Sequence, residues 1–318
     1  MSQSAVKAKP SRIRIVKVDP AALISLSGHP SVKRKIAPGF KPNPKRDLKF
    51  MSGKTIANLS FRSFYLDGAR WNGSDVQNID QALSGAMSDP NLNNVIAQYY
   101  LAGTPVRTNF LGSSKVASPV GATFTRDDVN PTLEALIANG ALAGVDFDTT
   151  VVCLFLPPGA ILSTDAVGGV GKLKGDDDNE DDSTQGLGGY HGSCHIGAQR
   201  IYFAVGVYSQ MINGAPNGIP VWPDSWKNIV ATFYHELNEA RTDPDVEDAE
   251  RDSNDNLLGW YNNTREGGEI GDIPMNEAGQ NLRSVMVEVA LAAGGTAPIQ
   301  LMWSNAVHGP EGPFARPA

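Results

Sequence analysis

The chain has 318 residues, 41% hydrophobic and 19% charged, with 33 glycines and 21 prolines. That is the make-up of a globular protein rich in loops, with enough length for one large core or two modest ones. It holds no apolar run long enough to span a bilayer, and its two cysteines, Cys153 and Cys194, are too few for a disulfide framework.

The net charge of −7 is unevenly spread: residues 1–50 carry twelve Lys/Arg against two acids, leaving a net −17 on the remainder. The opening "MSQSAVKAKPSRIRIVKV" lacks the continuous apolar stretch of a secretory signal, so the chain as written is expected in the cytoplasm. A basic arm can tether nucleic acid, but this one has no aromatic residue before Phe40 and leads into no recognisable nucleic-acid fold. No specific nucleic-acid binding is expected, and the arm reads as a solvated tail. "IAPGFKPNPKRDLKF" (36–50) is rich in Pro and Lys and reads as an extended linker. The expected organisation is a tail and linker over 1–49 and a single main domain over 50–318.

Within that domain, "KTIANLSFRSFYL" (54–66) alternates apolar and polar residues and predicts a first strand. "SDVQNIDQALSGAMS" (74–88) opens on capping residues and spaces Val76, Ile79 and Leu83 for a helix. "NVIAQYYL" (94–101) suits a short helix or a strand, and "PVRTNFLG" a strand. "TRDDVNPTLEALIANG" (125–140) starts with capping residues and stops at Gly140, as a helix does. The continuous apolar run in "TTVVCLFLPPGA" (149–160) predicts a buried central strand, and "RIYFAVGVY" (200–208) another. Interleaved helices and strands predict an α/β domain, with α+β the alternative.

Between the last two strands, "GDDDNEDDSTQGLGGYHGSCHIG" (175–197) packs six acids into seven residues. Without the spacing of a calcium-binding loop it reads as a solvated acidic loop followed by a Gly-rich turn.

The chemistry gathers in "PDSWKNIVATFYHELNEARTDP". At 100° per residue Trp226, Ile229, Val230, Phe233 and Leu237 share one face, while His235 and Glu239 lie together on the opposite face, one turn apart, with Glu236 beside them. Side chains at i and i+4 can share one cation, and Glu236 is then placed as the general base, the division of labour in HExxH zinc peptidases. With a carboxylate in place of the second histidine this is an HExxE site: Zn²⁺ is the expected ion, and the harder oxygen donor opens it to Mn²⁺ or Ca²⁺. A plain amphipathic helix would also tolerate the pattern. A third ligand must come from elsewhere. Asp245 has the ten-residue offset used by metzincins, but Thr242 stands where that pattern has its turn glycine. "LLGWYNNTREGGEIGDIPM" offers Glu266, Glu269 and Asp272 among glycines that let backbone approach closely. Glu269 is preferred to Asp245, with Asp272 as the fallback.

"HELNEARTDP" followed by "GWYNNTREGGEIGD" resembles the EXORDIUM-like (phosphate-induced protein) family and its bacterial relatives. "SGKTIANLSFRSF", "VVCLFLPPG", "GGYHGS" and "IQLMWSNA" match further pieces in the same order, over roughly residues 50–306. The chain departs from the family at Gly188–Gly189, where plant members have cysteine, and at Ile273–Met275 after EIGD. The plant members' signal peptide is missing, although the resemblance itself points towards secretion. It implies a zincin-like mixed sheet with an active-site helix, and it marks His191, His235, Glu236, Glu239, Glu269 and Asp272. His191 is expected to line the site, as a metal ligand or as a stabiliser of an oxyanion. Asp272, if not a ligand, would hold one in place by a hydrogen bond. The expected function is a Zn²⁺-dependent metallohydrolase, a peptidase acting on peptide or protein. The alternative is a non-catalytic protein that keeps the metal for stability, or an amidase with a non-protein substrate.

Overall fold

Alternation at a period of two divides the central strands between two apolar layers. The computed structural model describes residues 34–164, 182–263 and 267–315. In it Asn58–Tyr65 (β1), Arg107–Lys115 (β2), Thr150–Phe155 (β3), Gly189–Ile196 (β4) and Gln199–Gly206 (β5) form one sheet in the order β2-β1-β3-β5-β4. All pairs are parallel except β4 with β5. Leu59, Phe61, Val151, Cys153, Phe155, Tyr202 and Ala204 face one layer, while Phe64, Val152, Leu154, Ile201, Phe203 and Val205 face the other. The apolar run at 149–160 is therefore the middle strand, buried on both faces, as parallel sheets require.

Helices cover both faces, which makes the domain α/β. Gly73–Ser88 (α1), Pro90–Ile96 (α2) and Ser225–Thr242 (α4) pack on the first layer, and Arg126–Ala138 (α3) on the second. The stretch 94–101 resolves as helix as far as Tyr99, the end of α2 and a 3-10 turn, because Asp89 accepts from the backbone N–H of Asn91 and Leu92 ahead of Pro90, capping α2. Thr125 and Asp128 close a capping box at α3. Short helices follow at Val246–Asp252 (α5) and Asp272–Ala278 (α6), then the hairpins Met286–Ala290 (β6) with Thr296–Gln300 (β7) and Met302–Ser304 (β8) with Gly309–Glu311 (β9).

Residues 34–49, expected as tail and linker, pack against the domain. Ala37, Arg46 and Leu48 are buried, and Arg34 pairs with Glu311. The tail before Arg34 and the acids of 175–181 lie outside the described residues. Among the described residues no helix is long and apolar enough to cross a membrane.

Candidate metal centre

Helix α4 is held down hard on the sheet. Ile229, Val230, Phe233 and Leu237 are fully buried, and the Phe233 ring stacks on Phe155 with centroids 3.7 Å apart. Gly206 makes room for it, since a Cβ there would lie 2.7 Å from the Phe233 ring. The opposite side of α4 is buried too, at Glu236 and Glu239. His235 Nε2 lies 2.9 Å from Glu239 Oε2, the side-by-side placement that i and i+4 dictate.

His191 comes from β4, the edge strand. The sequence "GGYHGS" reads as a turn, but the structure makes it a strand. Its glycines serve close packing: a Cβ on Gly189 would meet Val205 O at 2.6 Å and Thr232 at 2.8 Å, and one on Gly192 would meet Glu247 at 2.4 Å. Helix and strand thus approach closely enough for His191 Nδ1 to lie 3.4 Å from Glu236 Oε2 and 3.6 Å from Glu239 Oε2.

The EIGD turn closes the site from the third side. Gly271 and Asp272 both donate their backbone N–H to Glu239 Oε1, at 3.0 and 3.1 Å. Asp272 Oδ1 lies 3.4 Å from His235 Nε2, and Glu269 Oε1 lies 3.5 Å from His191 Nε2. Gly271 is required by crowding, because a Cβ would stand 2.5 Å from the His235 ring.

Two residues not singled out in the sequence complete the arrangement. Gln300, from β7, accepts from His235 Nδ1 at 2.6 Å through Oε1, while its Nε2 donates to Gly271 O at 2.6 Å. The amide orientation is thereby set: in the neutral ring Nδ1 carries the proton and Nε2 is the nitrogen left to bind a cation. Asp243, fully buried at the end of α4, accepts from His191 Nε2 through its carbonyl at 3.1 Å and from Gly259 N through Oδ1 at 2.8 Å. A carbonyl only accepts, so His191 Nε2 carries a proton and Nδ1 is the nitrogen turned to Glu236 and Glu239. "TDP" and "IQLMWSNA" contain both residues, but their roles depend on contacts made across the fold.

The cluster therefore joins five carboxylates (Glu236, Glu239, Asp243, Glu269, Asp272) to two histidines. Of the described residues lining the surrounding cleft of about 690 Å³, only Arg126 is a Lys or Arg, and it pairs with Glu247 at 3.5 Å. Burial and the charge of Glu239 raise Glu269 well above the usual carboxylate range. Burial and Asp272 raise Glu239, and burial pushes Asp243 up to about 7. Burial pulls the histidines down, but the carboxylates outweigh it: Glu239 and Glu236 hold His235 well above its ordinary value. The Glu236 hydrogen bond and the Glu239 and Glu236 charges put His191 at about 9. A site this negative holds extra protons or a cation.

The donors suit a metal. Among the described residues, two groups of three ligand atoms lie mutually within 4.8 Å: His235, Glu239 and Asp272, and His191, Glu239 and Glu269. Mixed imidazole and carboxylate donors fit a first-row divalent ion. Glu269 Oε1, in a residue only 9% exposed, has no hydrogen-bond partner among the described residues. Glu269 and His235 fall in different groups, so the fallback Asp272 is the one beside His235. Asp245 belongs to neither group and accepts from Arg200 at 2.9 Å. His195 stands apart with an exposed side chain, and Glu266 lies outside the described residues.

No protein-family model matches the chain, and no curated protein matches it. A solved structure that matches is metalloproteinase-II from Bacteroides fragilis, at 13% identity and a TM-score of 0.27, over 60% of this chain and 45% of that one. The chain thus spans less than half of that protein's length, and so loose a likeness assigns neither a fold nor an activity.

Proposed function

We propose that the protein is a metal-dependent hydrolase of the metallopeptidase kind, with Zn²⁺ as its ion and Mn²⁺ or Ca²⁺ as alternatives. We also propose kinship with the EXORDIUM-like family on the motifs quoted above. The observation that carries the activity is the position of Glu236. It is buried between the two histidines, with Oε2 3.4 Å from His191 Nδ1 and Oε1 4.0 Å from His235 Nε2, beside rather than within the His235–Glu239–Asp272 group.

A divalent ion held by His235, Glu239 and Asp272 would supply the positive charge that polarises a carbonyl and acidifies a nearby water. The chain's own groups do the rest. Gln300 orients His235, and the Gly271 and Asp272 amides hold Glu239 so that only Oε2 faces the site. Glu236, one helical step from His235, takes the proton from the water and returns it to the leaving amine.

The cleft suits a peptide. β4 is the sheet's edge, and its Gly189–His191 segment lines the cleft. An extended chain can dock there by main-chain hydrogen bonds. Ile219, Val221, Met275, Leu282 and Met286 offer apolar contact for its side chains.

The test is cleavage of a mixed peptide library by wild type and Glu236→Gln at equal metal content. Wild type should cleave, and the variant should lose about 10²–10⁴ of the rate while keeping its metal. A metal-loaded wild type that cleaves nothing would favour a metal-stabilised binding protein.

A further inference from the structure

Glu239 is shared by both ligand groups, and the way it is held has a consequence for how many ions fit. Its Oε1 is fully engaged by two backbone amides, at 3.0 and 3.1 Å. Its Oε2 has no backbone donor and faces both histidines, 2.9 Å from His235 Nε2 and 3.6 Å from His191 Nδ1. With the other nitrogens occupied by Gln300 and the Asp243 carbonyl, these are the two nitrogens that a cation can take once their protons leave. Asp272 Oδ1 lies 3.4 Å from the same His235 nitrogen; Glu269 Oε1 lies 3.5 Å from His191 Nε2, on the other edge of that ring, with ligand atoms of His191, Glu239 and Glu269 mutually within 4.8 Å.

Deepening the metal-site reading above and resting on it, we propose that the protein binds two divalent cations, with Glu239 Oε2 between them. One would be held by His235 and Asp272, the other by His191 and Glu269. Carboxylate-bridged pairs of this kind hold their ions about 3.5–4 Å apart, close enough to share one oxygen.

Charge argues the same way. Five buried or half-buried carboxylates meet here with no Lys or Arg of their own among the described residues. With all five ionised and both histidines neutral, one divalent ion would leave a surplus of three negative charges in a low-dielectric site, and two ions leave one. An independent observation is Glu269 Oε1, buried, without a hydrogen-bond partner among the described residues and 3.5 Å from His191 Nε2. A buried carboxylate oxygen left in that state costs stability unless something is bound to it. A single ion on His235, Glu239 and Asp272 would leave it so.

The test uses the full-length protein, stripped with chelator and titrated with Zn²⁺ by calorimetry and with Mn²⁺ by electron paramagnetic resonance. Zn²⁺ should saturate at two equivalents. Mn²⁺ should change from the six-line spectrum of an isolated ion to an exchange-coupled one as the second equivalent binds. Glu269→Gln and Asp272→Asn should each bring saturation down to one equivalent, with folding checked by circular dichroism. The wild-type spectrum alone decides the matter if either variant fails to fold. Saturation at one equivalent with an uncoupled signal would overturn the pair and leave the hydrolase reading standing. No binding at all would overturn both.

Discussion

Gln300 Oε1 lies 2.6 Å from His235 Nδ1, and this contact decides which ring nitrogen of His235 is available to a metal. The glutamine amide cannot turn around, because its nitrogen donates to Gly271 O. Gln300→Leu keeps the volume and removes the acceptor. Metal affinity should fall about 10–100-fold, the usual effect of deleting the group that orients a histidine ligand. Chelator competition measures it, and an unchanged affinity would mean that the ring is held by packing alone.

Gly271 is tested by adding one methyl group. Its φ of −90° is open to any residue, so Gly271→Ala strains no backbone, yet the new Cβ would stand 2.5 Å from His235 Nδ1. Displacing the ring should weaken metal binding by at least about tenfold and cost roughly 1–3 kcal/mol of stability through overpacking. Affinity and a urea melt on one preparation separate the two effects.

The folded site competes for protons when no cation is bound. His191 at about 9, against an ordinary 6.5, gives stability that is full below 6.5 and lost as pH rises through 9. Asp243, at about 7 against 3.8, likewise favours its protonated form in the fold, so its part fades between 3.8 and 7. Metal-free protein should therefore melt at a lower temperature at pH 9 than at pH 6. Added Zn²⁺ should flatten that slope and release protons as it binds. A metal-free melting temperature that rises over this window would contradict the arrangement of charges.

Much of this was legible because it is local. The cap at Thr125 and the apolar run at 149–160 are each written in a few adjacent residues. So is the His235–Glu239 spacing, which puts both side chains on one face of one helix, while the interleaving of helices and strands gives the fold class. The glycines of "GGYHGS" misled because glycine signals both turns and close approach. Only the position of Thr232, Glu236 and Glu247 over β4 decides between them. Asp245 looked like a rival ligand until the fold paired it with Arg200, 45 residues away in the chain. Gln300 and the Asp243 carbonyl were invisible for the same reason: their meaning lies in contacts 65 and 52 residues long in sequence.

The stack of Phe233 on Phe155 ties the site to the core. Phe233→Ala should cost about 3–5 kcal/mol, as large-to-small changes of a fully buried aromatic do. Metal affinity should fall with it, since the helix that carries His235 and Glu239 loses its anchor. Denaturant unfolding reads the first effect. A cost below 1 kcal/mol would mean that α4 is positioned by its flanks rather than by the sheet.

Glu239 is the residue on which both ligand groups depend, and Glu239→Gln changes its charge while keeping its shape. The most direct measurement is elemental analysis of wild type and Glu239→Gln, each purified without chelator and compared at equal protein concentration. The expected result is bound first-row metal in wild type and its near-complete loss in a folded Glu239→Gln protein. Equal metal content in the two, or none in wild type even after incubation with Zn²⁺ and Mn²⁺, would contradict a metal centre built on this carboxylate.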